Sequence, residues 1–327
     1  MTGVPWLIPS SNQRGLSLET RRVLGPLITL VEDPRVTDVF VLGNGRVYVD
    51  TGMGTYAAEG LVLTAPQALE IARGLIEAGG RHVDEAHPLV DVALAGGLRV
   101  HATLPPIATH GPEISVRIAR ESPTLQDLDI ENAEAILPRV IRAVQNRETL
   151  LIAGATGSGK TTLVGALMAY AAPIERLVVL EEVGEISLDH PHVVSLECRQ
   201  ANLEGAGEIG LSRLVRESLR MRPSRLIVGE VRGAELADVL QAFHTGHPGG
   251  ATTLHAASLE DVVARLEGLG ALAGMTRVGL ASQVVGAIHR VIHVERTPRG
   301  SRALRTGTFY LTKAGELGLE VEDLAAD

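Results

Sequence analysis

Gly154-Ala155-Thr156-Gly157-Ser158-Gly159-Lys160-Thr161 is the stretch that decides the fold of this chain. It follows an apolar run over 149–153 and opens a segment over 162–168 with the composition of a helix. A glycine-rich turn of this spacing, placed between a strand and a helix and closed by Lys-Thr, is typical of a phosphate-binding loop, or P-loop. The sequence therefore predicts that an α/β domain is built around this loop.

Each residue type in the P-loop suits the binding of a polyphosphate. The glycines let the backbone curl with its amides inward, and the following helix directs its positive end and free N–H groups at the phosphates. Lys160 is expected to reach the β- and γ-phosphates, and the Thr161 hydroxyl to hold Mg²⁺. A structural glycine turn is the alternative, which the strand–helix context disfavours. The predicted nucleotide-binding residues are Gly154, Ala155, Thr156, Gly157, Ser158, Gly159, Lys160, Thr161 and Thr162.

Length and composition limit the possible classes of protein. A chain of 327 residues suggests about two domains. Its hydrophobic fraction of 45% with only 2% aromatic residues suits α/β layers with buried aliphatic strands. The single cysteine, Cys198, excludes a disulfide framework and a four-cysteine zinc site. The net charge of -9 argues against general binding to a nucleic acid backbone, and we expect no signal peptide and no membrane span.

Patterning divides the chain into four parts. Residues 1–15 are expected to be a flexible lead-in, 16–120 an α+β domain, 121–133 a polar linker, and 134–327 a domain of alternating strands and helices. Such alternation predicts a parallel sheet that binds ligands at the carboxyl ends of its strands. Besides the P-loop strand and helix, helices are predicted over 18–32, 66–78, 135–145, 211–220, 234–243 and 259–269, and strands over 36–42, 46–50, 90–94, 98–104, 114–118, 176–181, 193–196, 225–230, 251–254, 290–295 and 308–311.

Two predicted strands end in acidic residues. The apolar run over 226–229 ends at Glu230, which is a Walker B pattern: its carboxylate can hold Mg²⁺ through water or position the attacking water. Glu181 and Glu185 follow another buried strand, and acids beside a triphosphate are tolerated where Mg²⁺ or an attacking water lies between them. They are therefore candidates for general-base work. A solvated acidic loop and an ordinary strand end remain the alternatives.

Two histidines, His247 and His255, surround a Gly-rich turn and a strand. A neutral histidine can donate a hydrogen bond to a γ-phosphate and lose that bond on hydrolysis. An ordinary hydrogen-bonded histidine at a strand end is the alternative for His255. A zinc site is disfavoured because no third ligand of suitable spacing is nearby.

In order along the chain, these motifs resemble those of the secretion and pilus-assembly ATPases that power type II secretion, type IV pili and type IV secretion. The resemblance covers nearly the whole chain beyond residue 15, and the N-terminal domain is most similar to the Tad (tight adherence) pilus branch and its type IV secretion relatives. Besides the P-loop and Glu181–Glu185, it rests on Val228-Gly229-Glu230-Val231-Arg232-Gly233, Thr245-Gly246-His247, His255-Ala256, Leu219-Arg220-Met221-Arg222-Pro223, Val83-Asp84-Glu85-Ala86-His87-Pro88-Leu89-Val90-Asp91, Arg99-Val100-His101-Ala102, Pro105-Pro106 and Ile114-Ser115-Val116-Arg117.

The resemblance implies a homo-hexameric ring in which each subunit places a small α+β domain before a RecA-like motor domain. It implies ATP and Mg²⁺ as cofactors, and a location at the cytoplasmic face of the inner membrane beside a platform protein. By this resemblance Glu181 and Glu185 lie in the Asp box, Glu230 is the Walker B acid and His255 is the His-box sensor. Arg99 and Arg117 match arginines that reach toward the phosphates, where a guanidinium stabilises developing charge; a surface salt bridge is the alternative for either arginine.

The sequence also departs from the family pattern. Glu182 stands where the family commonly has Asp, and the paired CxxC motif of the type II secretion branch is absent, which favours the Tad or type IV secretion branch. An ATP-binding regulatory subunit with weak hydrolysis therefore remains an alternative. A P-loop GTPase or kinase is disfavoured because no Asn-Lys-x-Asp motif is present, and a RecA-like nucleic-acid motor is disfavoured by the net acidity.

Overall fold

A computed structural model describes residues 16–52, 54–118, 124–199, 207–246 and 248–322. It divides the chain into two compact units, Met1–Glu121 and Ser122–Asp327. The predicted lead-in over 1–15, the first three residues of the predicted linker and His247 lie outside the described residues. Within the described ranges, no helix is both long and apolar enough to cross a bilayer.

The first unit is an antiparallel sheet with helices on one face. Its helices are α1 (Leu18–Leu24), α2 (Ile28–Val31) and α3 (Ala65–Ala78), with a 3-10 turn at Gly25–Leu27 between the first two. Its strands are β1 (Asp38–Val41), β2 (Arg46–Asp50), β3 (Thr55–Val62), β4 (Leu89–Leu94), β5 (Leu98–Thr103) and β6 (Glu113–Ile118). Their order in the sheet is β3-β2-β1-β6-β5-β4.

Alternating side chains explain this layered arrangement. Every second residue of β4, β5 and β6 is buried, and these residues form one apolar cluster with the buried face of α3. Helix α3 begins at a capping box in which Thr64 and Gln67 bond each other's backbone. The other residues of those strands are half-buried or exposed, as in an antiparallel sheet covered on one side.

The second unit contains the P-loop. Its helices are α4 (Ala133–Gln145), α5 (Lys160–Met168), α6 (Leu211–Ser218), α7 (Leu236–His244), α8 (Asp261–Leu272) and α9 (Arg277–Ala287). Its strands are β7 (Leu150–Gly154), β8 (Leu177–Glu181), β9 (Val193–Glu197), β10 (Arg225–Glu230), β11 (Ala251–His255), β12 (Arg290–Arg296), β13 (Arg302–Leu311) and β14 (Leu317–Val321). They lie in the order β14-β13-β12-β7-β11-β10-β8-β9, parallel from β12 to β9 and antiparallel at β13 and β14.

Both faces of this sheet are covered, so the interiors of its central strands are buried and mostly apolar. Strands β7 and β8 are buried at every position. Leu151 and Leu180 belong to the core shared with α6–α9, whereas Ile152 and Val179 belong to the core shared with α4 and α5. A parallel sheet between two helical layers is the α/β architecture that the sequence predicts.

Residues 124–133 of the predicted linker, which spans 121–133, contact the second unit. Leu125, Leu128 and Ile130 are buried in the core of the second unit, and a 3-10 turn spans Leu125–Asp127. Ile130 also forms a parallel bridge with Arg302 at the start of β13. These apolar side chains bury themselves against the α4–α5 layer, and residues 124–133 are therefore part of the second unit.

A buried ion network fastens the amino ends of the strands, at the edge opposite the P-loop. Arg225, at the start of β10, is fully buried and forms two bonds to Glu175, from Nε at 2.7 Å and from Nη2 at 2.8 Å. The Nη1 of Arg225 donates to the Gly249 carbonyl at 3.1 Å. Arg147 also forms an ion pair with the Glu175 carboxylate, at 3.1 Å. Although burial raises the pKa of Glu175, the bonds and charge of Arg225 outweigh this and lower the pKa overall.

We predict that Glu175→Ala destabilises the second unit by about 3–5 kcal/mol, because it leaves the Arg225 guanidinium buried and unpaired. Urea unfolding followed by circular dichroism measures the change. Arg216→Ala is the control: it removes an exposed ion pair with Asp238 and should cost at most about 1 kcal/mol. Equal effects of the two substitutions would contradict a structural role for the buried network.

Candidate functional site

The P-loop joins β7 to α5 through residues whose backbone requires glycine. Gly157 and Gly159 have φ angles of 75° and 98°, in the left-handed region. A Cβ on Gly159 would lie 2.8 Å from the Nε of Arg302, whereas one on Gly157 would meet nothing within 4 Å. Glycine is thus required at Gly157 by the backbone conformation, and at Gly159 by both the backbone conformation and the close approach of Arg302.

Lys160 and Ser158 place buried polar groups inside this loop. The Lys160 residue is only 8% exposed, and its Nζ donates to the carbonyls of Gly154 and Ala155 at 3.0 Å each. Burial lowers the pKa of Lys160, while the charges of Glu230 and Glu185 act in the opposite direction. The Ser158 hydroxyl is buried without a hydrogen-bond partner among the described residues. A buried ammonium beside an unsatisfied hydroxyl suits a phosphate group.

Glu181 and Glu185 occupy different positions beside the loop. The Thr161 hydroxyl donates to Glu185 Oε2 at 3.3 Å, so Glu185 lies next to the predicted Mg²⁺ ligand. Glu181 is 4% exposed, and its Oε1 accepts the backbone N–H groups of Glu185 at 2.8 Å and Ile186 at 3.0 Å. Glu181 therefore fixes the backbone that carries Glu185. Its predicted catalytic role stays a prediction.

Glu230 is connected to Glu182 through an arginine. Arg232 Nη2 donates to Glu230 Oε2 at 2.7 Å, and its Nη1 donates to Glu182 Oε2 at 3.2 Å. The hydrogen bond to Glu230 is the main cause that raises the pKa of Arg232. Glu182, which stands where the family commonly has Asp, is therefore linked through Arg232 to Glu230, the predicted Walker B acid.

Strand register gathers these residues at one edge of the sheet. In the parallel ladders Leu180 is opposite Val228, Glu230 is opposite Thr253, and His255 is opposite Gly154. His255 is exposed, and its Nδ1 lies 3.4 Å from the Thr156 hydroxyl of the P-loop. The structure thus brings Lys160, Thr161, Glu181, Glu185, Glu230 and His255 to the carboxyl edge of the second unit.

Arg99 and Arg117 belong to the first unit. They are Cα partners on the neighbouring strands β5 and β6, and Arg117 is also opposite Asp38 of β1. Arg99 is half-buried and Arg117 exposed. Their predicted approach to the phosphates stays a prediction.

Two arginines that the sequence reading did not select contact the P-loop. Arg296 Nε donates to the Gly157 carbonyl at 3.0 Å, and the Arg302 guanidinium packs against Gly159. Both lie on the β12–β13 hairpin. A signal was available, because Arg296 follows the predicted strand 290–295 and ligands bind at the carboxyl ends of parallel strands.

The residues at this edge fit Mg²⁺ only together with a phosphate. Among the described residues, no cluster of three His, Cys, Asp or Glu side chains is suited to hold a metal. Thr161 and Glu230 are the side chains predicted to hold the ion. A metal with so few protein ligands is typical of Mg²⁺ bound through substrate phosphates and water.

Comparison with known proteins identifies the family. Residues 22–298 match the family model described as type II/IV secretion system protein. The chain belongs to this family. A putative conjugal transfer protein of Mycobacterium tuberculosis is 42% identical over 86% of this chain and 82% of its own length. The type IV secretion system protein VirB11 of Brucella suis is 30% identical over 74% of this chain and 75% of its own.

Solved structures support the fold of the family. The pilus retraction motor PilT, determined with bound ADP, covers 91% of this chain and 82% of its own with a TM-score of 0.62 at 17% identity. At that identity the likeness concerns the fold alone, a RecA-like domain with a preceding domain. The predicted fold class and family resemblance are thus confirmed, and the family supports ATPase activity in general terms.

We predict that Glu181→Ala speeds hydrogen exchange of the Glu185 and Ile186 amides by roughly ten- to hundredfold, because each loses a charged acceptor. Hydrogen–deuterium exchange with mass spectrometry, read on peptides over 183–188, measures it. Glu182→Ala is the matched control, since it removes only an exposed ion pair with Arg232. Unchanged exchange in Glu181→Ala would contradict the positioning role of Glu181.

Proposed function

We propose that this protein is a hexameric ATPase that couples Mg-ATP hydrolysis to assembly of a Tad-type pilus or to secretion through a membrane platform. The observation that carries this proposal is the meeting of a buried P-loop lysine, Lys160, with a hydroxyl–carboxylate pair, Thr161 and Glu185, at the carboxyl edge of a parallel sheet. This arrangement unites the groups that bind a triphosphate with a carboxylate able to accept a proton.

Each side chain has a defined part in the proposed hydrolysis. Lys160 and the loop amides bind the β- and γ-phosphates, and Thr161 and Glu230 hold Mg²⁺, which when bound neutralises charge on the phosphate oxygens. Glu185 accepts the proton of a water that attacks the γ-phosphorus, as the bond to the bridging oxygen breaks and ADP leaves. His255, beside Thr156, senses the γ-phosphate.

The resemblance to the family supports the proposed larger assembly. A homo-hexamer at the cytoplasmic face of the inner membrane would let Arg99 and Arg117 stabilise phosphate charge and would place the ring beside a platform protein. The relatives described as conjugal transfer and type IV secretion proteins support the secretion side of this proposal. No nucleic acid is required as a partner.

A second candidate is an ATP-binding regulatory subunit with weak hydrolysis. The observation that favours it is the bond from Arg232 to Glu230, which engages the carboxylate that Mg²⁺ needs, together with Glu182 at the other end of the same arginine. The two candidates differ in turnover and agree in nucleotide binding, so binding alone does not separate them.

The rate of Mg-ATP hydrolysis per subunit, measured against protein concentration with Lys160→Ala as the blank, tests the main proposal. We expect the rate per subunit to rise with concentration and then level, because a ring completes each site with neighbouring subunits. A constant rate requires sizing of the particle at the lowest concentration, and a monomer that is fully active would contradict the ring. Bound nucleotide without turnover above the blank would favour the regulatory subunit.

We predict that Glu185→Gln lowers kcat by about 10²–10⁴-fold while nucleotide affinity is kept, because the amide cannot accept the proton of the attacking water. Steady-state hydrolysis and equilibrium binding of Mg-ADP measure the two quantities. Glu182→Gln, the same chemical change three residues earlier on the same segment, should keep kcat within about threefold, since an exposed ion pair contributes little. If kcat fell less in Glu185→Gln than in Glu182→Gln, Glu185 would not be the general base.

A further inference from the structure

The β12–β13 hairpin contacts the P-loop through an arginine. Arg296, the last residue of β12, donates from Nε to the Gly157 carbonyl at 3.0 Å and from Nη1 to the Gly300 carbonyl at 3.3 Å. One guanidinium therefore bridges the phosphate loop and the hairpin turn. The planar fork of arginine suits this use, because its donors are fixed relative to one another.

The contact at Gly157 determines the direction of the next amide. In a planar trans peptide, the carbonyl and the N–H point to opposite sides. Because the Gly157 carbonyl is turned toward Arg296, the Ser158 N–H is turned to the inside of the loop, where it donates to the Ala155 carbonyl at 3.3 Å. A rotation of the Gly157–Ser158 peptide would turn the Ser158 N–H away from the inside of the loop. It would also move the buried Ser158 hydroxyl.

The hairpin is itself fixed by the segment that enters the second unit. Arg302 N donates to the Asp129 carbonyl at 2.7 Å, and Glu131 N donates to the Arg302 carbonyl at 2.8 Å. The Ser301 hydroxyl donates to Glu131 Oε1 at 2.7 Å. Across the turn, Thr297 N donates to the Ser301 carbonyl at 3.0 Å. The segment Asp129–Glu131 thus pairs with the hairpin strand whose Arg302 packs against Gly159 of the P-loop.

We propose that Arg296 is a positioning residue of the phosphate loop, and that the segment Asp129–Glu131 keeps its hairpin in place. Arg296 sets the orientation of the Gly157–Ser158 peptide, and so makes the loop ready for phosphate before the nucleotide arrives. The catalytic carboxylates lie on β8 and β10 and on the segment after β8, whereas β12 pairs with the other side of β7. Arg296 therefore affects nucleotide binding and leaves the chemical step to those carboxylates. This inference rests on the proposed nucleotide-binding function.

Binding of Mg-ADP to the full-length protein by isothermal titration calorimetry tests the role of Arg296. Arg296→Gln should weaken binding by about five- to tenfold, the loss expected for one net hydrogen bond to the loop. Arg296→Lys should recover part of that loss, because it keeps a donor and the charge. Arg299→Gln, at the exposed tip of the same hairpin, is the control and should bind like the wild type.

Two further readouts distinguish positioning from a general structural role. In steady-state hydrolysis, Arg296→Gln should raise KM for Mg-ATP by the same factor while kcat stays within about twofold. The melting temperature of the nucleotide-free variant should stay within about 2 °C of the wild type. A loss of kcat with KM unchanged, or a large drop in melting temperature, would overturn the positioning role.

The part played by the segment Asp129–Glu131 is tested by Ser301→Ala and Glu131→Ala, which remove the two ends of one hydrogen bond. Each should weaken Mg-ADP binding about two- to fivefold, and the double variant should be no weaker than the worse single variant. Wild-type binding in both single variants would overturn this part of the inference. If the wild type itself does not bind Mg-ADP, the proposed function fails; if it binds and Arg296→Gln binds equally well, only the inference fails.

Discussion

The parallel pairing of β7 with β11 on one side and β12 on the other is the constraint on which the rest of the second unit depends. In this pairing β7 ends at Gly154, opposite His255. The loop that follows has positive φ angles at positions 157 and 159, which favour glycine. Residues at the ends of β11 and β10, such as His255, lie on one side of the loop, and Arg296 at the end of β12 lies on the other side. The chemistry of the site is thus a consequence of strand order, because side chains distant in sequence follow strands that end together.

The two edges of the sheet carry opposite kinds of charge arrangement. At the amino edge, Arg225 and Glu175 are buried and satisfy each other with paired hydrogen bonds, so this charge is fixed and serves stability. At the carboxyl edge, Lys160 is buried, and its hydrogen bonds within the described part of the chain go to the carbonyls of Gly154 and Ala155. Burial lowers its pKa, as expected for a charge with too little compensation. An anion in the loop would supply that compensation.

Sequence patterns predicted the elements whose burial is strongly periodic or complete. The P-loop strand, the strands that end at Glu181 and Glu230, and helix α3 were all predicted, whereas the capping box of α3 was not. Strand β3 was not predicted, because Ala58 is its only buried residue and no alternation marks it. Strand β14 and helix α9 were not predicted either. Strand β14 lies at a sheet edge with one of its five residues buried, and α9 contains Gly279 and Gly286. Edge position and weak helix propensity remove the pattern on which such predictions depend.

The candidate site shows the same division at the level of single residues. Motif spacing predicted Lys160, Thr161, Glu185 and Glu230 as site residues, because their proposed chemistry depends on position along one strand or loop. It predicted general-base work for both Glu181 and Glu185, and the structure shows that their surroundings differ: an oxygen of Glu181 accepts two backbone N–H groups, whereas Glu185 accepts a bond from the Thr161 hydroxyl. Arg296 was not selected because it contacts the carbonyl of Gly157, a loop residue far from it in sequence. Motifs therefore propose which groups react, and only the three-dimensional arrangement shows which other groups contact them.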